Sequence, residues 1–302
     1  MPATPKIAIG FVFQDNYVEV IRLLESLSKI NLGQLNEIIA VDNSSSQTVE
    51  INMYKNFGNV KLRLVRNKSK MPLPYNRNQI FRMSLSDIVI FVDSDTEFIQ
   101  NDFIDAVLSN FSNFNVDVMA PIILDPSGKI QSFGLKKILG LPYIFRFNVT
   151  GGKMEKIDMI HGACFAVRKS VYDTIGGFDE FMDPYNFDEM DFCIRAGMAR
   201  FKIYAFNNIR IRHYGGATTS RFGADQRAYL FVSHALRSIR RNYKGLRKVI
   251  VATVFIIAAY IRTLMDFRQY FFRFVITKAI VHQLNDADAK LIYNPEYRSD
   301  TL

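Results

Sequence analysis

The 302-residue chain has no tryptophan and only two cysteines, Cys164 and Cys193. Two cysteines supply neither a disulfide framework nor a four-cysteine zinc site, so a reducing compartment is expected. Sixteen glycines and nine prolines without period exclude collagen-like and low-complexity classes. The motifs of several enzyme classes are missing: no Walker A loop, no G-x-G-x-x-G, no G-x-S-x-G elbow and no H-E-x-x-H. Their absence disfavours P-loop kinases, dinucleotide oxidoreductases, α/β-hydrolases and zincins. Met1 to Phe13 lacks the basic and long apolar regions of a secretory signal. The apolar run Val249–Ile261 lies between Lys248 and Arg262. As a helix it covers about 20 Å, short of the roughly 30 Å hydrocarbon core of a bilayer.

What is present is a core-forming composition, 49% hydrophobic and 22% charged, in a chain long enough to bury a full core. The net charge of +9 is not spread evenly. Residues 235–282 alone carry +9, from ten basic residues against Asp266, while the first 234 carry +2 and the last twenty −2. A basic tail on a near-neutral body points to a polyanion, either a membrane surface or nucleic acid. The aromatics Phe267, Tyr270, Phe271, Phe272 and Phe274, interleaved with Arg268, Arg273 and Lys278, favour anionic lipid over nucleic acid. A buried helical hairpin or a homo-oligomer contact is the alternative for this tail.

Strand-like apolar runs at Ile7–Phe13, Glu37–Val41, Lys61–Val65 and Ile88–Val92 alternate with helix-spaced segments. Tyr17–Ile30 has apolar residues at Val20, Leu23, Leu24 and Leu27, Gln47–Asn56 is a candidate helix, and Asn78–Ser84 has a helical pattern. The proline-bearing Asn67–Asn76 reads as loop. This rhythm predicts an α/β fold with a mainly parallel sheet flanked by helices. Ligands of such sheets bind beyond the carboxyl ends of the strands. Asp15, Asp42 and the pair Asp93/Asp95 each follow a strand and so converge on one edge. Later, Phe103–Phe111 reads as helix, Val116–Ile123 and Ile203–Ile211 as strands, Ile160–Val167 is a short apolar run, and Asp225–Tyr243 opens a helical tail.

Three clusters carry chemistry. Asp93-Ser94-Asp95 offers hard oxygen ligands for Mg²⁺ or Mn²⁺, or else an acidic turn. Asp188-Glu189-Met190-Asp191 crowds three carboxylates, which raises at least one pKa toward the range of a general base; the plain alternative is a solvated acidic turn. His213, before Gly215-Gly216, suits a metal or phosphate contact or a structural role. His161, His234 and His282 have no comparable setting in the sequence.

In order along the chain, these pieces resemble the family-two nucleotide-sugar glycosyltransferases of GT-A fold. The resemblance spans about Lys6 to Gly216. Val41-Asp42-Asn43-Ser44-Ser45 is similar to the family's V-D-N-x-S, and Asp93-Ser94-Asp95 to its D-x-D. Gly162-Ala163 through Arg168, then Gly176-Gly177-Phe178-Asp179-Glu180, resembles its acceptor-side segment. Asp188 to Arg195, then His213-Tyr214-Gly215-Gly216, resembles E-D-x-D-L-x-x-R…H-x-G-G. The nearest likeness is to a rhamnosyltransferase-like branch that builds bacterial surface polysaccharides.

By that resemblance, residues 1–224 form the GT-A domain, with a nucleotide-binding half (1–102) and an acceptor half (103–224), and 225–302 a helical tail. Asp15, Asp42, Asn43, Asn78, Asp93 and Asp95 are expected to hold a UDP- or dTDP-linked sugar. Asp93, Asp95 and His213 are expected to hold Mn²⁺ or Mg²⁺. Glu189, then Asp188, is the expected base, with Asp191 ordering Arg195 or meeting an acceptor hydroxyl. The implied reaction inverts the anomeric carbon and glycosylates a glycan or lipid-linked acceptor. It would take place at the cytoplasmic face of the inner membrane, with no nucleic-acid partner. The loop Asn67–Asn78 departs from the family's glycine-rich pattern, with lysines and prolines instead; Lys70 and Arg77 are candidate diphosphate contacts. Without tryptophan, the Q-x-x-R-W motif of processive synthases is impossible, so addition of one or a few sugars is expected. Two other functions fit parts of the sequence: a non-catalytic membrane-surface binding protein, and a sugar nucleotidyltransferase.

Overall fold

The computed structural model describes residues 5–47, 57–141, 143–149, 152–183, 187–215, 223–265 and 279–280. All but the first residue of the candidate helix at 47–56, Gly216 and most of the aromatic stretch 264–281 lie outside the described residues.

The N-terminal half follows the expected alternation. β1 (Ile7–Phe13), α1 (Tyr17–Ser28), β2 (Leu35–Asp42), β3 (Lys61–Arg66), α2 (Leu73–Met83) and β4 (Ile88–Val92) occur in that order. β1 pairs in parallel with β2 on one side and β4 on the other, and β3 extends the sheet beyond β2. The chain thus reverses its order between β1 and β4, the place where open α/β sheets bind ligands.

Alternation along β1 explains the layering. Ile7, Ile9, Phe11 and Phe13 pack with Val20, Leu23, Leu24 and Leu27 of α1, the four residues that set its helical spacing. Ala8 faces α2 and packs with Ile80 and Phe81. Gly10, on the same side, lets that helix come close, since a Cβ there would stand 2.4 Å from Ile80 Cγ2. α2 begins within the stretch expected to be loop. Pro72 precedes its first turn and Pro74 sits inside it, where a missing N–H removes no helical hydrogen bond.

The second half makes the sheet mixed rather than mainly parallel. After β5 (Thr96–Phe98) and α3 (Phe103–Asn113) come β6 (Val118–Leu124) and β7 (Ile130–Ser132). A separate hairpin, β8 (Leu135–Lys137) and β9 (Phe145–Phe147), precedes β10 (Met154–Lys156). β11 (Cys164–Arg168) inserts antiparallel between β4 and β6. α4 (Lys169–Ile175) and α5 (Asp188–Met198) follow, then the long β12 (Ile203–His213). β12 runs parallel to β6 and antiparallel to β5, which sets His213 opposite Thr96, beside the Asp93–Asp95 turn.

α6 (Ala224–Asn242) is part of the core. Val232, Ala235, Leu236 and Ile239 are buried in the cluster that holds Phe178 and Phe192. Asp179 receives Arg237 in a bidentate pair at 2.9 and 3.2 Å and Arg241 at 3.2 Å. Asp191 accepts from Ser238 and Asn242 at 2.6 and 3.0 Å. Two of the tail's cations are therefore used inside the protein.

α7 (Gly245–Met265) buries Val251 and Phe255 and leaves Leu246, Val249, Ile250, Ile257 and Ile261 at least half exposed. Among the described residues, no helix is long and apolar enough to cross a membrane.

Candidate active site

The turn after β4 and the end of β12 meet at the carboxyl edge of the sheet. Ligand atoms of Asp93, Asp95 and His213 lie within 4.8 Å of one another. His213 Nε2 is 3.3 Å from Asp95 Oδ1, and its Nδ1 is held by Gln131 Oε1 at 2.9 Å. That second contact fixes the ring and turns Nε2 toward the carboxylates, as metal-binding histidines are usually oriented. Two carboxylates and one imidazole fit Mn²⁺ or Mg²⁺ in both spacing and donor chemistry. Burial alone would lower the His213 pKa, but Asp95 and Asp93 outweigh it and the value is raised.

Arg77, on α2, links this cluster to the acidic turn of α5. Its Nη1 donates to Asp188 Oδ2 at 2.6 Å and stands 3.6 Å from Glu189 Oε2. Its Nη2 donates to the Gly162 carbonyl at 3.2 Å and lies 3.8 Å from Asp93. Burial disfavours the guanidinium charge; Asp188, Glu189 and Asp93 reverse that and raise its pKa. Asp188 is sealed, with 1% of its surface exposed, so one of its oxygens is committed to Arg77. Glu189 keeps 13% of its side chain exposed and is the carboxylate of this pair that solvent can reach. Burial, then Asp188, push the Glu189 pKa up to about 8 against the pull of Arg77. Gly162 makes room for the assembly, since a Cβ there would stand 3.2 Å from Glu189 Oε1 and 3.4 Å from Arg77 Nη2.

Asp15 and Asp42 lie at the carboxyl ends of β1 and β2. Asp15, at φ +56°, accepts from the Ser46 amide and hydroxyl at 2.6 and 2.7 Å. Asp42 is buried and accepts from the Ser45 amide at 2.8 Å. Asn16 donates to Ser94 at 2.5 Å and so ties the end of β1 to the D-x-D turn.

Three expected site residues have polar atoms engaged by other segments of the protein. Asn43 exchanges hydrogen bonds with the Met71 backbone at 2.8 and 2.9 Å, which pins the loop before α2. Asn78 does the same for the Phe178 backbone at 2.8 and 3.0 Å and also donates to Glu180, so its amide fastens the 176–180 loop. Asp191 is fully buried between Arg195, at 2.7 Å, Ser238 and Asn242. It orders Arg195, and both of its oxygens accept hydrogen bonds within the protein.

Two residues that the sequence left unmarked join the site. Gln131 orients His213. His161 brings its ring to 5.7 Å from that of His213. Burial, with the nearby His213 and Arg77, holds the His161 pKa down to about 4. No local signal marks either residue; the pairing of β7 and β12 with β6, and of β11 with β4 and β6, brings them in.

Residues 13–176 match the model of a known family, described as "Glycosyl transferase family 2". Among curated proteins the chain is similar to the uncharacterized protein y4gI of Sinorhizobium fredii, with 22% identity over 69% of this chain and 24% of that one. It is also 22% identical to the O-antigen biosynthesis protein RfbC of Myxococcus xanthus, over 71% of this chain and 18% of that one. The chain thus spans about a quarter or less of the length of these relatives. Among solved structures, the mannosyltransferase PcManGT of Pyrobaculum calidifontis, in complex with GDP-Man and Mn²⁺, superimposes with a TM-score of 0.59. That likeness covers 94% of this chain and 88% of that one, at 12% identity. The fold is therefore of GT-A type, a mixed sheet flanked by helices with a C-terminal helical region.

Proposed function

This chain belongs to glycosyl transferase family 2, and from that premise we propose that it transfers a sugar from a nucleoside-diphosphate donor to a hydroxyl of a glycan or lipid-linked acceptor. The observation that carries the reading is one cleft holding a cation-binding triad and, across Arg77, a carboxylate with a raised pKa.

In this reading Asp15 and Asp42 hold the nucleoside, and Asp93, Asp95 and His213 hold Mn²⁺ or Mg²⁺. The ion would offset charge on the leaving diphosphate. Glu189 takes the proton from the acceptor hydroxyl as that oxygen attacks the anomeric carbon. Asp188, held by Arg77, keeps the guanidinium in place and the Glu189 pKa high. A base on one side of the sugar and a leaving group on the other give single displacement with inversion. The O-antigen protein among the relatives supports a place in surface polysaccharide synthesis, which the rhamnosyltransferase-like pattern of the sequence also favours.

The outer face of α7 supports action at an anionic membrane surface. Its exposed apolar residues are flanked by exposed Lys244, Arg247 and Lys248, the pattern of a helix that lies in the lipid interface.

A thermal-shift panel of UDP, dTDP, GDP and CDP with and without Mn²⁺ tests the transferase. A ligand at a hundred times its Kd stabilises by about 2.7 kcal/mol. One nucleotide is expected to give a metal-dependent shift that Asp95→Ala abolishes. A well-folded protein with no shift in any condition refutes the reading. Sedimentation with anionic vesicles tests the α7 face: Ile250→Glu with Ile257→Glu should release the protein, and unchanged binding refutes the membrane role.

A further inference from the structure

The hairpin β8–β9 overhangs the cleft beside His161 and leaves one ring open. Phe147 is 55% exposed, and its ring lies 5.9 Å from that of His161. A solitary exposed phenylalanine is ordinary; this one borders the catalytic cleft. The second observation is the state of His161. Its Nδ1 accepts the Ala163 amide N–H at 3.1 Å. An imidazole that accepts at Nδ1 carries its proton on Nε2. That Nε2–H, on the far side of the ring, has no hydrogen-bond partner among the described residues.

The two side chains stand at the right place for a second substrate. His161 adjoins His213 of the cation triad through its ring and Gly162 through the chain, and Gly162 abuts Glu189. A group resting on Phe147 and His161 therefore lies beside His213 of the triad and close to the residue that abuts the base. It needs an apolar face to cover the phenyl ring and an acceptor atom for the imidazole N–H. A pyranose has both, with axial C–H groups on one face and hydroxyl oxygens around its rim.

We propose that Phe147 and His161 form the subsite for the acceptor, and that the acceptor unit bound there is a pyranose rather than a lipid chain or a peptide. The proposal rests on the transferase reading above and adds the chemical class of the second substrate.

Saturation-transfer NMR on the full chain, with Mg²⁺ and the nucleotide that stabilises it, tests this with methyl α-L-rhamnoside, methyl β-D-galactoside, methyl β-D-glucoside and methyl N-acetyl-β-D-glucosaminide. At least one glycoside should receive saturation, mainly through the C–H protons of one face. Phe147→Ala should cut the signal at least fivefold and Phe147→Tyr should keep it. His161→Asn preserves an acceptor for the Ala163 amide but lacks the Nε2–H, and should also weaken the signal. The nucleotide thermal shift should persist in all three variants, which shows them folded and donor-competent. Wild-type protein that binds nucleotide but none of the four glycosides, or binds them equally after Phe147→Ala, overturns the subsite and leaves the transferase reading standing. Wild-type protein that binds no nucleotide overturns that reading, and this one with it.

Discussion

Replacing Glu189 by glutamine should make the protein more stable and nearly inactive, with the stability gain growing as pH rises. The reasoning starts from two carboxylates in one desolvated place. Asp188 is buried and neutralised by Arg77 at 2.6 Å, and Glu189 is left beside it with the weaker share of that cation at 3.6 Å. Its pKa rises from 4.5 to about 8. A carboxyl group whose folded value is raised costs nothing while it is protonated in both states. The penalty begins as pH passes the unfolded value near 4.5, grows through neutrality and levels off above about 8. At 1.36 kcal/mol per pH unit, the upper bound is roughly 5 kcal/mol. Relaxation at the open edge of the side chain brings the expected gain to about 2 kcal/mol at pH 8.5. In a chain of this size that is about 3 °C in Tm. Glutamine keeps the shape and removes the charge. Melting curves of both proteins in EDTA, from pH 5 to pH 8.5, should coincide at the acid end and diverge toward the alkaline end. Loss of the base should lower kcat by roughly 10² to 10⁴. Parallel melting curves with no pH-dependent gap would refute the assigned electrostatics, and full activity would refute Glu189 as the base.

Other perturbations probe the same scaffold. Arg77→Met leaves Asp188 buried without its cation, which costs about 3–5 kcal/mol; urea titration should show a large loss of stability even in EDTA. Asp179→Asn removes the carboxylate that receives Arg237 and Arg241. It should cost about 2 kcal/mol and speed amide exchange in α6, whereas Lys169→Ala at an exposed ion pair should stay within about 0.5 kcal/mol. In wild-type enzyme kcat/KM should fall about tenfold per pH unit below the value at which Glu189 loses its proton, and rise to a plateau above it. Chelation of the divalent ion should abolish transfer and weaken nucleotide binding at least a hundredfold, as read by calorimetry, because Asp93 and Asp95 then face the diphosphate unscreened.

The parts of the fold that were legible are those written by local pattern. β1, α1, β3 and β4 follow from apolar runs and a helical stripe whose four residues are the four that face the sheet. Asp42 and Asp93 were visible because a buried strand that ends in an acidic turn can only put that turn at the sheet edge. α2 was read too short because prolines look like loop until the first turn of a helix, which needs no N–H there, accommodates them. Antiparallel β11 was invisible as such, since a buried strand has the same apolar run in either direction.

The site divides along the same line. The position of a residue at its own strand end is legible in the sequence, whereas a partner from a distant segment is not. Asn43, Asn78 and Asp191 sit within motifs, yet their polar atoms are used by Met71, Phe178 and Ser238, each from another segment. Arg77 shows why. Taken alone it is a cation before Asn78 in a loop rich in lysine. Folded, it reaches Asp93 after β4 and both Asp188 and Glu189 of α5. Three carboxylates brought together by strand order and helix packing would repel one another without it. The raised pKa of Glu189 is what remains after Arg77 has been shared among them, so the proposed base would owe its chemistry to a residue more than a hundred positions away in the sequence.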